Sequence, residues 1–521
     1  MLPRKAWWKK ALWIGAGAVV LACSLVATLL IWMTVQGKHD WEKTKTALEA
    51  RGEKLTLPEL ARPPIPDEQN FFADPMWQEL ADIVSQKNEQ GNTVLEPRIP
   101  KGRKQLDQLD STLGEDEAKD IQTQFSTLKE LKGSRITIGR TIWKNAQESN
   151  DPAKIREAAV AITGLLRPYD PILARVEELS HRSGARWSYD YRSPAYCMPI
   201  SHALALLEIS QLLHLKAVTL LAQGDSPTAA RLVLLNLGLA KTLENDPVLI
   251  CFLVRVSIAA IAHTDIAEGI KLHAWDDPTL AVFDQDLARI TFVPGLLYAL
   301  RSARGGFNQT IEWARCIDSF ASLINSDFSD SNFKRLSPFS LVSLLYLSTI
   351  SYSDQAFFNR TMQDWIDLIT AKQSGGLNQS LVPKFIRAFT SVPPGEKAKH
   401  LMSVLAFSAL TDILERVAIV QTQINQTRIA AALERYRLKN GGYPQTLDSL
   451  SPTFLGQIPD DPITAQPMHY RLIQPDQFLL WSVGWNLTDE GGKNGEWKNE
   501  GDIVWGESLP RKSKPTPAGE L

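Results

Sequence analysis

Cysteine is scarce in this chain. There are four in 521 residues, and none are spaced as CxxC, which excludes a disulfide-dense scaffold and a zinc ribbon. A charge excess of either sign is lacking too. With 56 basic and 58 acidic residues the formal net charge is -2, so no global positive field exists to bind nucleic acid by counterion release. The familiar catalytic signatures are also missing. No HExxH and no G-x-S-x-G occur, and the eight histidines are scattered,. The stretch from Gly133 to Thr141 approaches a P-loop, but its spacing is off by one and it lacks the lysine,. Asp327, Asp330 and Asn332 lack the glycine an EF-hand loop needs, and His263, Asp265 and Glu268 lack the i, i+4 spacing of paired helical ligands,. Asp284 with Asp286 reads as a helix start. Arg301 with Arg304, beside Gly305-Gly306, marks a polar break where an anion could bind.

What is present is ordinary globular composition, 44% hydrophobic and 22% charged, with one conspicuous segment. Arg4, Lys5, Lys9 and Lys10 precede an uncharged run from Ala11 to Val35. As a helix that run spans about 37 Å, enough to cross a hydrocarbon core of about 30 Å. Trp7, Trp8 and Trp13 near one end, and Trp32 and Trp41 near the other, match interfacial aromatic belts. The run ends in Trp32-Met33-Thr34-Val35-Gln36, which is not a small-x-small cleavage site. Ala22-Cys23 has the dipeptide of a lipobox, but apolar residues continue well past it. The expectation is an uncleaved single-pass anchor, with residues 1–10 a cytoplasmic basic stub, 11–35 the span, and the bulk of the chain exoplasmic. In that compartment Cys197, Cys251 and Cys316 allow at most one internal disulfide.

Residues 36–69 read as a polar, proline-punctuated linker. Arg62-Pro63-Pro64-Ile65-Pro66 favours an extended path and would stand the body off the membrane. Residues 70–400 read as a helical body. Its clearest unit starts at His202, where Leu204, Leu207, Ile209, Leu212, Leu213, Leu220 and Leu221 recur at helical spacing. Gly224-Asp225-Ser226-Pro227 follows as a turn, with Gly224 in the left-handed position, Ser226 as N-cap and Pro227 opening the next helix. A third helix begins at Asp246-Pro247 and reaches Gly269. These are antiparallel helices on short turns. Gly224, Asp225 and Ala229 resemble the mid-turn of a tetratricopeptide hairpin, but no second copy follows at that period. Between them, residues 181–196 are dense in charge and aromatics. Arg182, Arg186, Trp187, Asp190 and Arg192, with His181, Tyr189, Tyr191 and Tyr196, form a candidate ligand cluster for an anionic or sugar-like molecule, through cation–π and stacking contacts.

Residues 401–508 change character. A long helix from Leu401 to Leu438 ends at Asn440-Gly441-Gly442. A turn-rich stretch leads to two strand candidates, Met468–Ile473 and Phe478–Val483, joined by Pro475-Asp476. Residues 509–521 read as a polar tail. The fold class expected is therefore mainly α, with an N-terminal membrane helix, an irregular multi-helix body and a small α+β C-terminal unit carrying a short antiparallel sheet.

The C-terminal unit resembles the globular part of the major pseudopilin of type II secretion. The resemblance is carried by Leu433-Glu434-Arg435-Tyr436 running into Asn440-Gly441-Gly442-Tyr443-Pro444, then Leu447, Leu450, Pro459-Asp460-Asp461-Pro462, Tyr470, Ser482-Val483-Gly484-Trp485-Asn486, Gly491-Gly492, and Asp502-Ile503 before Trp505. It covers about a seventh of the chain. The chain as a whole is similar to a group of membrane-anchored bacterial proteins of the planctomycete and verrucomicrobial type, which share the Pro63 to Phe71 pattern, the helical middle and this ending. The pseudopilin resemblance implies a calcium ion in the closing loop. Asp502 falls on an acidic ligand position, Asn486 stands where the family has an aspartate, Asp489 or Glu490 could restore that charge, and the carbonyl of Val483 would face the ion. The chain departs from the family in residues 1–30, which lack the Gly-Phe-Thr-Leu-x-Glu motif that processing and fibre assembly need.

Two functional expectations follow. The first is a non-enzymatic interaction or scaffold protein of the cell envelope, with protein partners and no nucleic acid, near a secretion or pilus-like machine. The second is an envelope ligand-binding protein or enzyme with its site in the helical body. A deep pocket gathering the 181–196 cluster would favour the second reading.

Overall fold

The computed structural model describes residues 5–80, 84–87, 93–96, 135–191, 198–315, 346–371, 377, 381, 398–408, 411–495 and 501–507. Arg192, Tyr196, Cys197, Cys316 and the 327–332 acidic stretch lie outside the described residues, as does the tail. The fold is mainly helical, with a small three-stranded antiparallel sheet near the C-terminus.

The first helix, α1, runs from Lys5 to Ala50 without a break. From Trp13 to Leu29 it is exposed on all sides, an apolar rod with nothing packed on it, and it is a candidate membrane span. Beyond Val35 the structure departs from the expected linker. Gly37, Trp41, Thr44 and Leu48 form a buried stripe at helical spacing,. They face α12 (Ser351–Ala371), where Trp41, Leu48 and Leu55 share a small core with Ala356 and Tyr352. At Gly37 an added Cβ would lie 2.8 Å from the Ser353 hydroxyl oxygen, so the two helices meet backbone to backbone. Trp41 is thus a core residue and not an interfacial anchor. The apolar rod is a continuation of the body's own helix.

The proline segment is likewise no stand-off. After the short helix α2 (Leu57–Leu60), residues 62–74 lie along the body and bond to the 181–191 segment. Phe71 N donates to Gly184 O at 2.8 Å and Gly184 N donates to Gln69 O at 2.9 Å. Asn70 receives Arg186 N and returns its amide to Arg186 O.

A short α3 (Pro75–Leu80) and the hairpin of β1 (Val84–Lys87) and β2 (Thr93–Glu96) precede the main helical array. That array comprises α4 (Arg135–Glu148), α5 (Pro152–Leu166), α6 (Asp170–Ser180), α7 (Ser201–Gln223), α8 (Ser226–Thr242), α9 (Leu249–Lys271), α10 (Asp277–Ala288) and α11 (Val293–Arg315). Neighbours in sequence are neighbours in space: α4 on α5, α7 on α8, α8 on α9, with α9 also against α7. The turn between α7 and α8 has Gly224 in the left-handed region (φ +84°), as expected. The cap is Asp225, whose carboxylate accepts from Thr228 N at 3.2 Å, and not Ser226. Helices α7 and α9 are long and apolar enough to cross a membrane, but 61% of each apolar window is buried inside the body. Their apolarity reflects packing on several sides.

The C-terminal unit is fused to this array. After α13 (Leu401–Ser408), α14 (Thr411–Asn440) lies across α9 and α10. Its first half, including Val417, Ala418 and Ile424, belongs to the body's core. Ile429, Ala432 and Leu433 instead start a second core with Leu450, Met468 and Leu480. Polar contacts fix it laterally: the ion pairs of Arg428 with Asp284 and of Arg435 with Asp277, each at 2.8 Å, and a hydrogen-bond contact of 2.9 Å between His273 Nδ1 and the fully buried Glu434. Asp284 therefore serves α14. Strands β3 (His469–Gln474), β4 (Gln477–Ser482) and β5 (Ile503–Val504) form the sheet in that order, with Pro475-Asp476 turning β3 into β4.

Candidate functional site

One end of the array gathers chemistry that no local motif announced. Helices α7 and α9 run the same way because α8 returns the chain between them, so their N-termini lie together. His202 sits in the first turn of α7, Cys251 in the first turn of α9, and Asp246 in the turn that leads into α9. All three are buried. His202 Nε2 is 3.0 Å from Asp246 Oδ2 and 3.9 Å from Cys251 Sγ. The Tyr189 hydroxyl, from the 181–191 segment, lies 3.0 and 2.9 Å from the two Asp246 oxygens, 3.3 Å from His202 Nε2 and 3.6 Å from Cys251 Sγ. Val248 N donates to Asp246 Oδ1 at 2.9 Å and orients the carboxylate.

Aromatic packing holds the imidazole. Trp187 stacks on His202 with centroids 4.4 Å apart and planes 4° from parallel, and Phe72 meets His202 edge-on at 5.2 Å. The other ring nitrogen, Nδ1, is buried without a hydrogen-bond partner. Burial, and then the Asp246 charge, push both the Tyr189 hydroxyl and the Cys251 thiol well above their ordinary pKa values,. Cys251 is thus a thiol in the free protein. The arrangement is also not a nucleophile–base–orienter triad, since Asp246 and Cys251 approach the same imidazole nitrogen. The group is a compact cluster of N, O and S donors. Among the described residues it is the one set of three or more His, Cys, Asp or Glu donors lying within 4.8 Å of one another.

Above it opens a cleft of about 270 Å³, lined by Arg62, Phe72, Arg186, Trp187, Tyr191 and Asp246, among others. One wall is the proline segment, with Pro63 and Ile65. The wall closes tightly at Gly184, where a Cβ would come within 2.7 Å of Ile65 Cδ1. Arg186 Nε donates to Arg62 O at 3.2 Å, which ties the two walls at the rim.

The sequence-derived cluster is divided by the fold. Arg186 and Trp187 line the cleft. Arg182 does not; its guanidinium donates to the backbone oxygens of Asn70 (2.8 Å) and Asp67 (3.2 Å) and straps the proline segment down. Asp190 is exposed and Arg192 lies outside the described residues. Arg301 and Arg304 are structural: both bond Glu53, and Arg304 is fully buried.

In the C-terminal loop, Asp502 is buried and its carboxylate accepts three backbone N–H groups, from Glu490 (3.2 Å), Gly492 (2.7 Å) and Lys493 (3.2 Å). Asn486 donates to Glu490 Oε1 at 2.8 Å, and Asp489 accepts from Trp481 Nε1 at 3.0 Å. Asp502 therefore organises the turn through backbone hydrogen bonds, while Asp489 is turned toward Trp481.

Sequence reading missed His202 and read Asp246 as a helix start and Cys251 as a possible disulfide partner. The available signal was topological: two short turns place the starts of α7 and α9 at the same end. Compared with family models, curated proteins and solved structures, the chain matches none, so the site is read from its own geometry.

Proposed function

We propose that this chain is a single-pass, membrane-anchored binding protein of the cell envelope, whose helical body captures a small anionic molecule bearing one planar or sugar ring. The observation that carries this reading is the cleft. Its lining combines the aromatic residues Trp187, Tyr191 and Phe72 with two arginines, Arg62 and Arg186, a composition suited to a ring with an attached carboxylate or phosphate. Its volume lies just below the roughly 300–1,000 Å³ of sites for drug-sized ligands, so it fits a monosaccharide or a single aromatic ring and not a polymer. The exposed N-terminal rod tethers the cleft, with the body exoplasmic. A pure scaffold would need no such concavity. The pseudopilin-like ending serves here as a brace for α14.

The test is thermal unfolding of the full-length protein in detergent with p-nitrophenyl glucuronide, glucuronate and the uncharged p-nitrophenyl glucoside. A ligand that binds only the folded state stabilises it by about 2.7 kcal/mol at a hundredfold excess over Kd. A shift with the glucuronides that is weak with the glucoside, and lost in Arg186→Gln, is expected. No shift with any of the three, or equal shifts in wild type and variant, would remove the proposal.

A further inference from the structure

We propose that His202, Asp246 and Cys251 form a transition-metal site, suited to zinc, at the floor of the cleft. The site stands on its own donors and does not depend on what the cleft binds.

The donor chemistry selects the metal class. Calcium and magnesium take oxygen ligands, whereas a mixed imidazole, carboxylate and thiolate set suits the borderline-soft Zn²⁺. The geometry agrees. Tetrahedral zinc with ordinary bond lengths separates its N and O ligands by about 3.4 Å and its N and S ligands by about 3.6 Å. The corresponding distances here are 3.0 Å and 3.9 Å, each within a few tenths of an ångström of that geometry, and all three donors lie within 4.8 Å of one another. The ligands are also prepared. Val248 N holds Asp246 Oδ1 and leaves Oδ2 facing His202 and Tyr189. The stack of Trp187 fixes the imidazole plane. Asp246 and Tyr189 both line the cleft, which gives an ion its route in. The N-termini of α7 and α9 add a positive field, which the carboxylate and a thiolate would offset.

Three protein ligands leave a fourth position, within reach of the Tyr189 hydroxyl and of any molecule in the cleft. Open sites of this kind keep a place for water or a ligand. Binding is balanced as follows: the S–H bond of Cys251 breaks, a Zn–S bond forms, and one proton passes to solvent for each ion bound.

The test uses full-length protein in detergent, stripped with chelator and titrated with Co²⁺ and then Zn²⁺. One equivalent of Co²⁺ per chain should bind, with near-ultraviolet thiolate-to-cobalt absorption, and Zn²⁺, which thiolate ligands favour, should displace it. Cys251→Ser should abolish that absorption. It should also weaken binding by more than the roughly 10–100-fold that loss of an outer-shell partner costs. The triple variant Cys23→Ser, Cys197→Ser, Cys316→Ser should retain both. Folded wild type without the band, or a band that survives Cys251→Ser, would overturn the proposal. If Cys251→Ser does not fold, alkylation of wild-type Cys251, mapped by peptide mass, decides the matter. Zinc should slow it, and an unchanged rate refutes the site.

Discussion

Glu53 provides a quantitative test of how the long N-terminal helix joins the body. It lies just past the end of α1 and bonds Arg301 Nε at 3.0 Å, Arg304 Nη2 at 2.5 Å and Gln363 Nε2 at 3.3 Å. Its side chain is 11% exposed and that of Arg304 is 0% exposed. Burial alone would raise its pKa, but hydrogen bonds from Arg301 and Arg304, and their charges, outweigh burial and lower it from 4.5 to about 2,. A depressed carboxylate pKa means stability that is present above the unfolded value and lost as pH falls toward the folded one. At about 1.4 kcal/mol per unit, the shift corresponds to about 3.4 kcal/mol at neutral pH, of which about 2 kcal/mol is gone by pH 3. Burial lowers the pKa of Arg304 itself, so this is an upper bound on the net benefit of the group, yet the guanidinium stays charged throughout the window and adds no slope. Independently, removing one partner of a buried pair costs about 3–5 kcal/mol. Glu53→Gln should therefore destabilise the full-length protein by about 3 kcal/mol at pH 7, measured by denaturant unfolding in detergent. The gap to wild type should shrink by more than half at pH 3. A gap that stays constant from pH 7 to pH 3 would refute the ion-pair account.

Trp41→Ala tests whether α1 packs on the body beyond its apolar rod: loss of a buried tryptophan should cost about 3–5 kcal/mol, whereas a free linker would tolerate it, so an unchanged unfolding midpoint would sink the continuous-helix reading. Asp502→Ala should cost about 3 kcal/mol by orphaning three backbone donors, equally in calcium and in chelator; a loss seen only with calcium present would instead make Asp502 a metal ligand.

Much of the architecture was legible because it follows from rules acting over a few residues. An uncharged run of 25 residues after four basic ones fixed the apolar rod. Gly224 marked a helix end through the left-handed conformation, which glycine adopts without the strain other residues incur, and Pro475-Asp476 marked the hairpin,. The same local rules misread the stretch after Val35. Its polar residues suggested a linker, because the stripe of Gly37, Trp41, Thr44 and Leu48 signals burial only when a partner helix is known. That partner, α12, lies some 300 residues further along the chain. Arg301 and Arg304 misled for a related reason: a buried arginine and a ligand-binding arginine look alike until Glu53 is found beside them.

The sequence by itself determined the long apolar N-terminal helix, the helical hairpins and the terminal sheet, since periodicity, turn chemistry and apolar length need only neighbouring residues. Tertiary structure alone decided the site. His202 stands 44 residues from Asp246 and 49 from Cys251, and each reads locally as an unremarkable helix start. They become a donor cluster only because α8 returns the chain and packing sets α7 beside α9. That is a consequence of which apolar faces fit together, and no short stretch of the chain contains it.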